Sequence, residues 1–443
     1  MAQWHAFLRH EILTPPQSMP NPVDALAGSA LLLKPGTHYE FRLTLSDPDG
    51  GSTQRVVQAT TRVQPRAYVG GRTFYVMPGS GGGTGTASDP LRGLASADAK
   101  AQAGDLFLLQ AGSYLGGTAL TKDGSAGKPI TYRGLTPESV ILDGNGASYV
   151  LNFDDRQYIT VEGMTLRSQG TAIKASNTTN ITLRHLDVSI LGSESAAMTM
   201  WGYNRDNIIC DNQVIGASSN FPDRNVSAYG WFVSGEGHVI CNNRIAHFRD
   251  AISLSPLDRA DKSSRSIDIY NNDIYEVHDD AIEADYTYHN IRIFRNRMAH
   301  FVSGVSAQPS LAGPMYIFRN EFFNTLTAPT AGNPYTGSPF KFSEASGYCT
   351  TGILVFHNTS INVGFSFSAS TVFPNSTFRN NLLYGKNGKA FELYTPGACL
   401  GDSATPANFD FDGMNSTWGT WATIDGVNYS SLLDFQNRTG NEL

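Results

Sequence analysis

The sequence predicts an all-β fold built as a parallel β-solenoid, and three observations predict it. Short β-rich segments recur along the chain, each closing on a shared asparagine or glycine position at a spacing of roughly 22–30 residues, the length of one stacked coil. After most of these closings a second short strand recurs in which apolar and polar residues alternate. Turn formers are abundant, with 44 glycines and 21 prolines in 443 residues, while only 16 % of residues are charged, too few for a disordered chain or a coiled coil. A leucine-rich repeat has the same period, but its regular leucine pattern is missing.

The elements follow in order. Met1 to Pro20 carries no basic segment followed by an apolar one and does not read as a secretory leader. From Lys34 to Gly50, Tyr39, Phe41, Leu43 and Leu45 alternate with polar residues before a turn, as in one strand of an antiparallel sandwich. This segment resembles the late strands of a fibronectin type III module. Residues 1–66 are therefore expected to be a partial module, a β-sandwich fragment at which a longer protein is entered partway. Gln64-Pro65 and the glycine run 79–85 punctuate the chain, and residues 72–443 are expected to form the solenoid. Leu91 to Ala103 favours a short helix that would cap the open end of the core.

The first strand of each coil ends at Gly163, His185, Asn212, Asn243, Asn272, Asn296, Asn320, Asn358 and Asn380. Neighbouring strands lie about 4.8 Å apart, so like residues stack, and the asparagines from Asn212 to Asn380 are expected to form a structural ladder. Cys210 and Cys241 hold like positions in consecutive coils and are expected to stack as reduced core residues. Cys349 and Cys399 fall in loops, where a disulfide is an open possibility.

The second strands, Ala251–Ser255, Ala281–Asp285, Gly304–Gln308, Pro339–Ser343, Gly364–Ser368 and Ala390–Tyr394, put Ser253, Glu283, Ser306, Lys341, Ser366 and Glu392 in one outward column. A parallel column carries Ser255, Asp285, Gln308, Ser368 and Tyr394. The densest segment runs His278-Asp279-Asp280-Ala281-Ile282-Glu283-Ala284-Asp285. Carboxylates this crowded need solvent, a cation or shared protons, and Arg249-Asp250 lies in the matching turn one coil earlier.

Two chemistries fit. In one, Asp250, Asp279, Asp280 and Glu283 supply hard oxygen ligands to Ca²⁺, which neutralises a uronate carboxylate, and Lys341 abstracts the proton alpha to it so that β-elimination breaks the glycosidic bond. In the other, Glu283 and Asp285 stand roughly 6.6 Å apart on one strand face, at the short end of the separation used by inverting glycosidases. A non-catalytic carbohydrate-binding solenoid is the third reading.

The stretch from Gly79 to Gly134 resembles the opening of secreted right-handed parallel β-helix proteins, polysaccharide lyases above all. Asp279-Asp280-Ala281-Ile282-Glu283 followed by Pro339-Phe340-Lys341-Phe342 is similar to the calcium-binding DDGxD and GFKL segments of polysaccharide lyase family 9, which acts on pectate and rhamnogalacturonan. The resemblance implies Asp250, Asp279, Asp280 and Glu283 as calcium ligands, Lys341 as Brønsted base and an extracellular location. Glu283 stands for an aspartate and Ala281 for a glycine, and an extra coil, Asn290 to Gln308, separates the cluster from Lys341. Two coils span about 9.6 Å, more than one sugar unless the lysine leans back.

Arg249, His278, Arg292 and Gln308 are the expected contacts to substrate carboxylates and hydroxyls, and Trp201, Tyr203, Tyr229, Trp231 and Tyr286 are candidates to stack on sugars. His247, Glu276 and His300 align in three coils as a surface column, and Arg295, Arg319, His357 and Arg379 as a basic one. The net charge of −7 gives no general attraction to nucleic acid. No run of eighteen apolar residues exists, which excludes a membrane-spanning helix. A monomer acting on polysaccharide is expected.

Overall fold

The computed structural model describes residues 9–12, 24–47, 49–65, 68–217, 226–254, 264–311, 313–324, 337–343, 350–362, 367–370, 376–385, 389–393, 408–410, 412–416 and 419–440. The calls on Ser255, Ser366, Tyr394, Cys349 and Cys399 lie outside them. Residues 73–424 wind into a right-handed parallel β-helix whose strands fall on three sheets and pair in parallel with the coil before and the coil after. The inward column of the first sheet shows why the sequence chooses this stack. Ile209, Ile240, Ile269, Ile293, Ile317 and Val355 pair in register from coil to coil, and all are fully buried. β-Branched side chains suit a pleated surface, and each layer covers the next, so the core lengthens with every coil instead of thickening.

Corners between the first and second sheets are made by one residue in the left-handed region: Asp211, Asn242, Asn271, Arg295, Arg319, His357 and Asn380, with φ between 53° and 61°. The ladder residue follows it. Each ladder Oδ1 accepts from the backbone N–H and the Nδ2 of the preceding ladder residue, as Asn296 does from Asn272 at 3.0 and 2.9 Å. Its Nδ2 reaches a carbonyl of the coil before, here Ile269 at 3.0 Å. The ladder runs Asn212, Asn243, Asn272, Asn296, Asn320, Asn358, Asn381 and ends on Asp412. Asn381, not Asn380, is thus its penultimate member, because Asn380 takes the left-handed corner. Arg379 accordingly belongs to a strand and pairs with Asp410 at 2.9 Å. His247, Glu276 and His300 also have positive φ, 66°, 51° and 55°, and form the corner between the second and third sheets, with His247 Nε2 2.8 Å from Glu276.

Cys210 and Cys241 are bonded to each other, which corrects the expectation of reduced thiols. They sit in register on the first sheet with Cα atoms 4.5 Å apart, within the span a disulfide bridges. Stacking, the argument for keeping them apart, is what brings them together.

Both ends of the core are covered. The expected capping helix spans Leu94–Lys100 and buries Leu94 and Ala97. Its Asp98 is also buried, and accepts from Thr121 N, Thr121 Oγ1 and Tyr132 Oη at 2.9, 2.6 and 3.1 Å. At the other end a strand and a helix lie over the last coil. Val427–Tyr429 turns back antiparallel to Ala422–Ile424, and the helix Leu432–Thr439 lays Phe435 on Trp421 and Tyr429. In the N-terminal segment His38–Ser46 and Ser52–Thr60 form an antiparallel hairpin. Just before it, Leu31 packs on Tyr316, Phe318 and Leu354, on the outside of the first sheet.

Candidate active site

The third sheet carries the cluster. Its register column reads Lys174, Thr199, Phe232, Ser253, Glu283, Ser306, Lys341, Ser368, Glu392. Ser368 therefore holds the place given to Ser366, since the strand after Lys341 is Phe367–Ser370. Asp250 opens the strand Asp250–Ser253, and Asp279 and Asp280 lie in Asp273–Glu283, where the pairing with the next coil is irregular between Val277 and Asp280. That irregularity shifts two adjacent carboxylates to the sheet margin beside Asp250.

Oxygens of Asp250, Asp279 and Asp280 all lie within 4.8 Å of one another. Asp250 and Asp280 are 3 % and 1 % exposed; Asp279 is partly open. Asp250 Oδ1 accepts the Asp280 N–H at 3.0 Å, which locks the two coils together. Lys341 leans back over two coils and donates from Nζ to Asp280 Oδ2 at 2.9 Å, with Asp279 Oδ1 at 4.0 Å. The extra coil is thus bridged by the lysine side chain. Arg249 faces the cluster from the exposed side, 3.4 Å from Asp279 and 3.7 Å from Asp250. Asp280 Oδ1 is buried and accepts no hydrogen bond among the described residues.

Burial and crowding shift the protons. Burial, then Glu283, Asp280 and Asp279, hold the Asp250 carboxyl well above the ordinary range. Burial pushes Asp280 up to about 7; Lys341 pulls against it while Asp279 and Glu283 add to it. For Lys341, burial opposes the charge, but Asp280 and Asp279 outweigh it and keep the ammonium protonated above its usual range.

The remaining predicted residues divide. Glu283 lies beside Asp250 but outside the three-carboxylate group, and accepts a hydrogen bond from Ser253 Oγ. Asp285 is 7 % exposed and accepts from Ser306 Oγ and Gln308 N, both at 2.7 Å; burial and Glu283 raise its carboxyl well above the usual range. Gln308 sits next to it and donates to Ser343. Of the other two substrate-contact candidates, one is buried and one lies on another sheet. His278 is buried, and its backbone N–H donates to Phe248 O at 2.9 Å. Arg292 belongs to the first sheet, paired with Asp268 and near Ser29 of the N-terminal segment. Trp231 is a core residue and Tyr286 is buried, whereas Trp201 and Tyr229 are half-buried. Ser253 and Ser306 stand in the outward column read from the sequence but were not named as site residues, and the structural register extends that column one coil earlier to Phe232.

The donor set suits a divalent cation. Three carboxylates from two coils converge, and one oxygen is buried without a donor among the described residues, an arrangement that suits a hard, oxygen-preferring ion.

No protein-family profile matches the sequence. The uncharacterized protein YwoF of Bacillus subtilis is 34 % identical over 104 residues, which span 22 % of this chain and 22 % of that protein. Among solved structures, PfbA, a surface adhesin of Streptococcus pneumoniae, is 12 % identical over 74 % of this chain and 86 % of its own, with TM-score 0.48. The pectate lyase Pel9A is 15 % identical over 77 % and 80 %, with TM-score 0.40. The alginate lyase AlyGC of family PL6 is 15 % identical over 82 % and 56 %, with TM-score 0.45. The likeness in each case is one of fold.

Proposed function

We propose that this protein degrades an acidic polysaccharide by cation-dependent β-elimination, with Asp250, Asp279 and Asp280 holding Ca²⁺ and Lys341 acting as base. The observation that carries the reading is the orphaned Asp280 Oδ1 inside a carboxylate group that Lys341 also reaches. Bound there, the ion would supply charge neutralisation for the uronate carboxylate and relieve the carboxylates' hold on the lysine proton.

The chain's own groups then have defined work. Lys341 Nζ, as the free amine, takes the proton alpha to the uronate carboxylate; the electron pair forms the C4–C5 double bond, the C4–O bond breaks, and the departing oxygen is protonated from solvent. Arg249, almost half exposed beside the cluster, is placed to meet a substrate carboxylate. Glu283 is oriented by Ser253 toward the same face.

The hydrolase reading is less well supported. It needs Asp285 to activate water or protonate a leaving group, yet that carboxyl is buried and occupied by two donors. The disulfide fits an oxidising, extracellular setting. The test is the rate of unsaturated-product formation on uronate polysaccharides. Chelation should abolish it, added Ca²⁺ restore it, and Lys341→Ala lose it. Cleavage that persists in chelator and in Lys341→Ala would refute the proposal, with its loss in Glu283→Gln pointing to a hydrolase, and binding without any product would refute it in favour of a mere binder.

A further inference from the structure

The outer face of the second sheet carries two neighbouring columns. From coil to coil the first reads Gln213, Arg244, Asp273, Arg297, Glu321, Thr359, and the second Ile215, Ala246, Tyr275, Ala299, Phe323, Ile361. The residues between them, among them Ile245, Ile274 and Met298, are buried in the core. Asp273 accepts from Nε and Nη2 of Arg297 at 2.9 and 2.8 Å, and the Arg244 guanidinium lies 5.0 Å from the Tyr275 ring centroid. Phe323 is 45 % and Ile361 46 % exposed. Ala299 stands where its neighbours in the column are aromatic, and a cavity of about 470 Å³ bordered by Tyr275, Arg297 and Phe323 opens there.

Each column is its own complement when read backwards. Take a two-fold axis parallel to the strands, midway between the coils of Asp273 and Arg297. A second copy generated by it meets this face with strand direction kept and coil order inverted. Asp273 then stands opposite Arg297 of the second copy, Arg244 opposite Glu321 and Gln213 opposite Thr359. In the other column Tyr275 stands opposite Ala299, Phe323 opposite Ala246 and Ile215 opposite Ile361. Opposite charges meet, an amide meets a hydroxyl, and each ring meets an alanine. The Tyr275 ring has the cavity at Ala299 to enter. Moving the axis by half a coil destroys the match. It sets Asp273 against itself and Arg244 against Arg297, or Arg297 against itself and Asp273 against Glu321.

We propose that a second copy of this protein docks on this face through an isologous contact centred between Asp273 and Arg297. Burial of Tyr275, Phe323 and Ile361 drives the association, and the charges fix its register. The contact departs from the monomer expected from the sequence and is independent of the elimination reading, since the carboxylate group lies on the third sheet. Six coils span only about 24 Å, so the dimer belongs among weak associations, with a dissociation constant on the order of 10–100 µM.

Sedimentation equilibrium of the full chain from about 5 to 500 µM tests it. The native protein should pass from monomer to dimer in that range. Asp273→Arg and Arg297→Asp should each weaken self-association by about 10-fold or more, because like charges then face each other twice. An equal mixture of the two variants should recover the dimer, because each altered residue then faces its opposite. Ala299→Trp, which fills the cavity without changing the charge, should also abolish the dimer. Thermal midpoints of the variants confirm that each is folded. A native protein that stays monomeric throughout, a dimer that survives both single charge changes, or a mixture that remains monomeric would overturn the proposal.

Discussion

Replacing Lys341 by methionine removes the ammonium bound to Asp280 and keeps much of the apolar stem. The Nζ–Oδ2 distance is 2.9 Å, and at an effective dielectric constant of about 20 Coulomb's law gives about 6 kcal/mol of gross attraction. Removing one partner of a fully buried pair costs about 3–5 kcal/mol, because the other charge is left behind. Lys341 is one-third exposed and Asp280 is not, so the expected loss is about 2–4 kcal/mol when Asp280 is ionised. Asp280 can avoid that state by keeping its proton. Its carboxyl already rises to about 7 with the lysine pulling it down, so in the variant it rises further. A carboxyl raised in the folded state stabilises the fold below its unfolded value of about 4, and that contribution is lost as pH rises through the folded value. Stabilities from denaturant unfolding in chelator should therefore nearly coincide for Lys341→Met and the native protein at pH 5, and separate by about 1.4 kcal/mol at pH 8, one pH unit above the native value, the full amount being reached only at higher pH. Ca²⁺ should narrow the gap at pH 8. An equal gap at both pH values, or no gap at pH 8, would refute the reasoning, because both deny that Lys341 is the counter-charge of a buried carboxylate.

Other outcomes follow from the same geometry. Cys210→Ser with Cys241→Ser opens a link across a sequence separation of 31 residues and should lower stability by about 3–4 kcal/mol, read from denaturant unfolding with and without reductant. Asn296→Ala strips the acceptor from two buried donors of Asn272 and should cost about 2–6 kcal/mol, at about 1–3 kcal/mol for each unsatisfied group; a loss under 1 kcal/mol would mean the ladder relaxes around the gap. Arg292→Ala should leave kcat and KM on any uronate polymer unchanged, because the residue faces Asp268 on another sheet, and a rise in KM would return it to the substrate path.

The solenoid was legible because a coil repeats one physical problem many times. An inward β-branched residue, a left-handed corner and an amide that bonds the next coil must recur, and Ile209, Asp211 and Asn212 show the pattern even where identity does not persist. Asn380 misled because an asparagine serves both as corner and as ladder member, and only the hydrogen bonds of Asn381 distinguish them. Of the candidate site, Lys341 stood in the outward column read from the sequence, Asp279 and Asp280 in the crowded acidic segment, and Asp250 in the matching turn one coil earlier. Their convergence depended on an irregular strand pairing and on one lysine rotamer, neither of which leaves a periodic trace. His278 shows the limit of adjacency: it precedes Asp279 directly, yet it is buried where Asp279 is partly open. Arg292 was drawn toward the cluster by proximity in sequence, although coils of this length carry a residue onto another sheet within a few positions.

The chemical nature of the newly formed chain end tests the central claim most directly. Proton NMR and mass analysis of the products made in Ca²⁺ should show an olefinic uronate at the non-reducing end, one water lighter than a hydrolytic product, and no such end in chelator. Saturated ends formed at the same rate with and without Ca²⁺ would contradict the account.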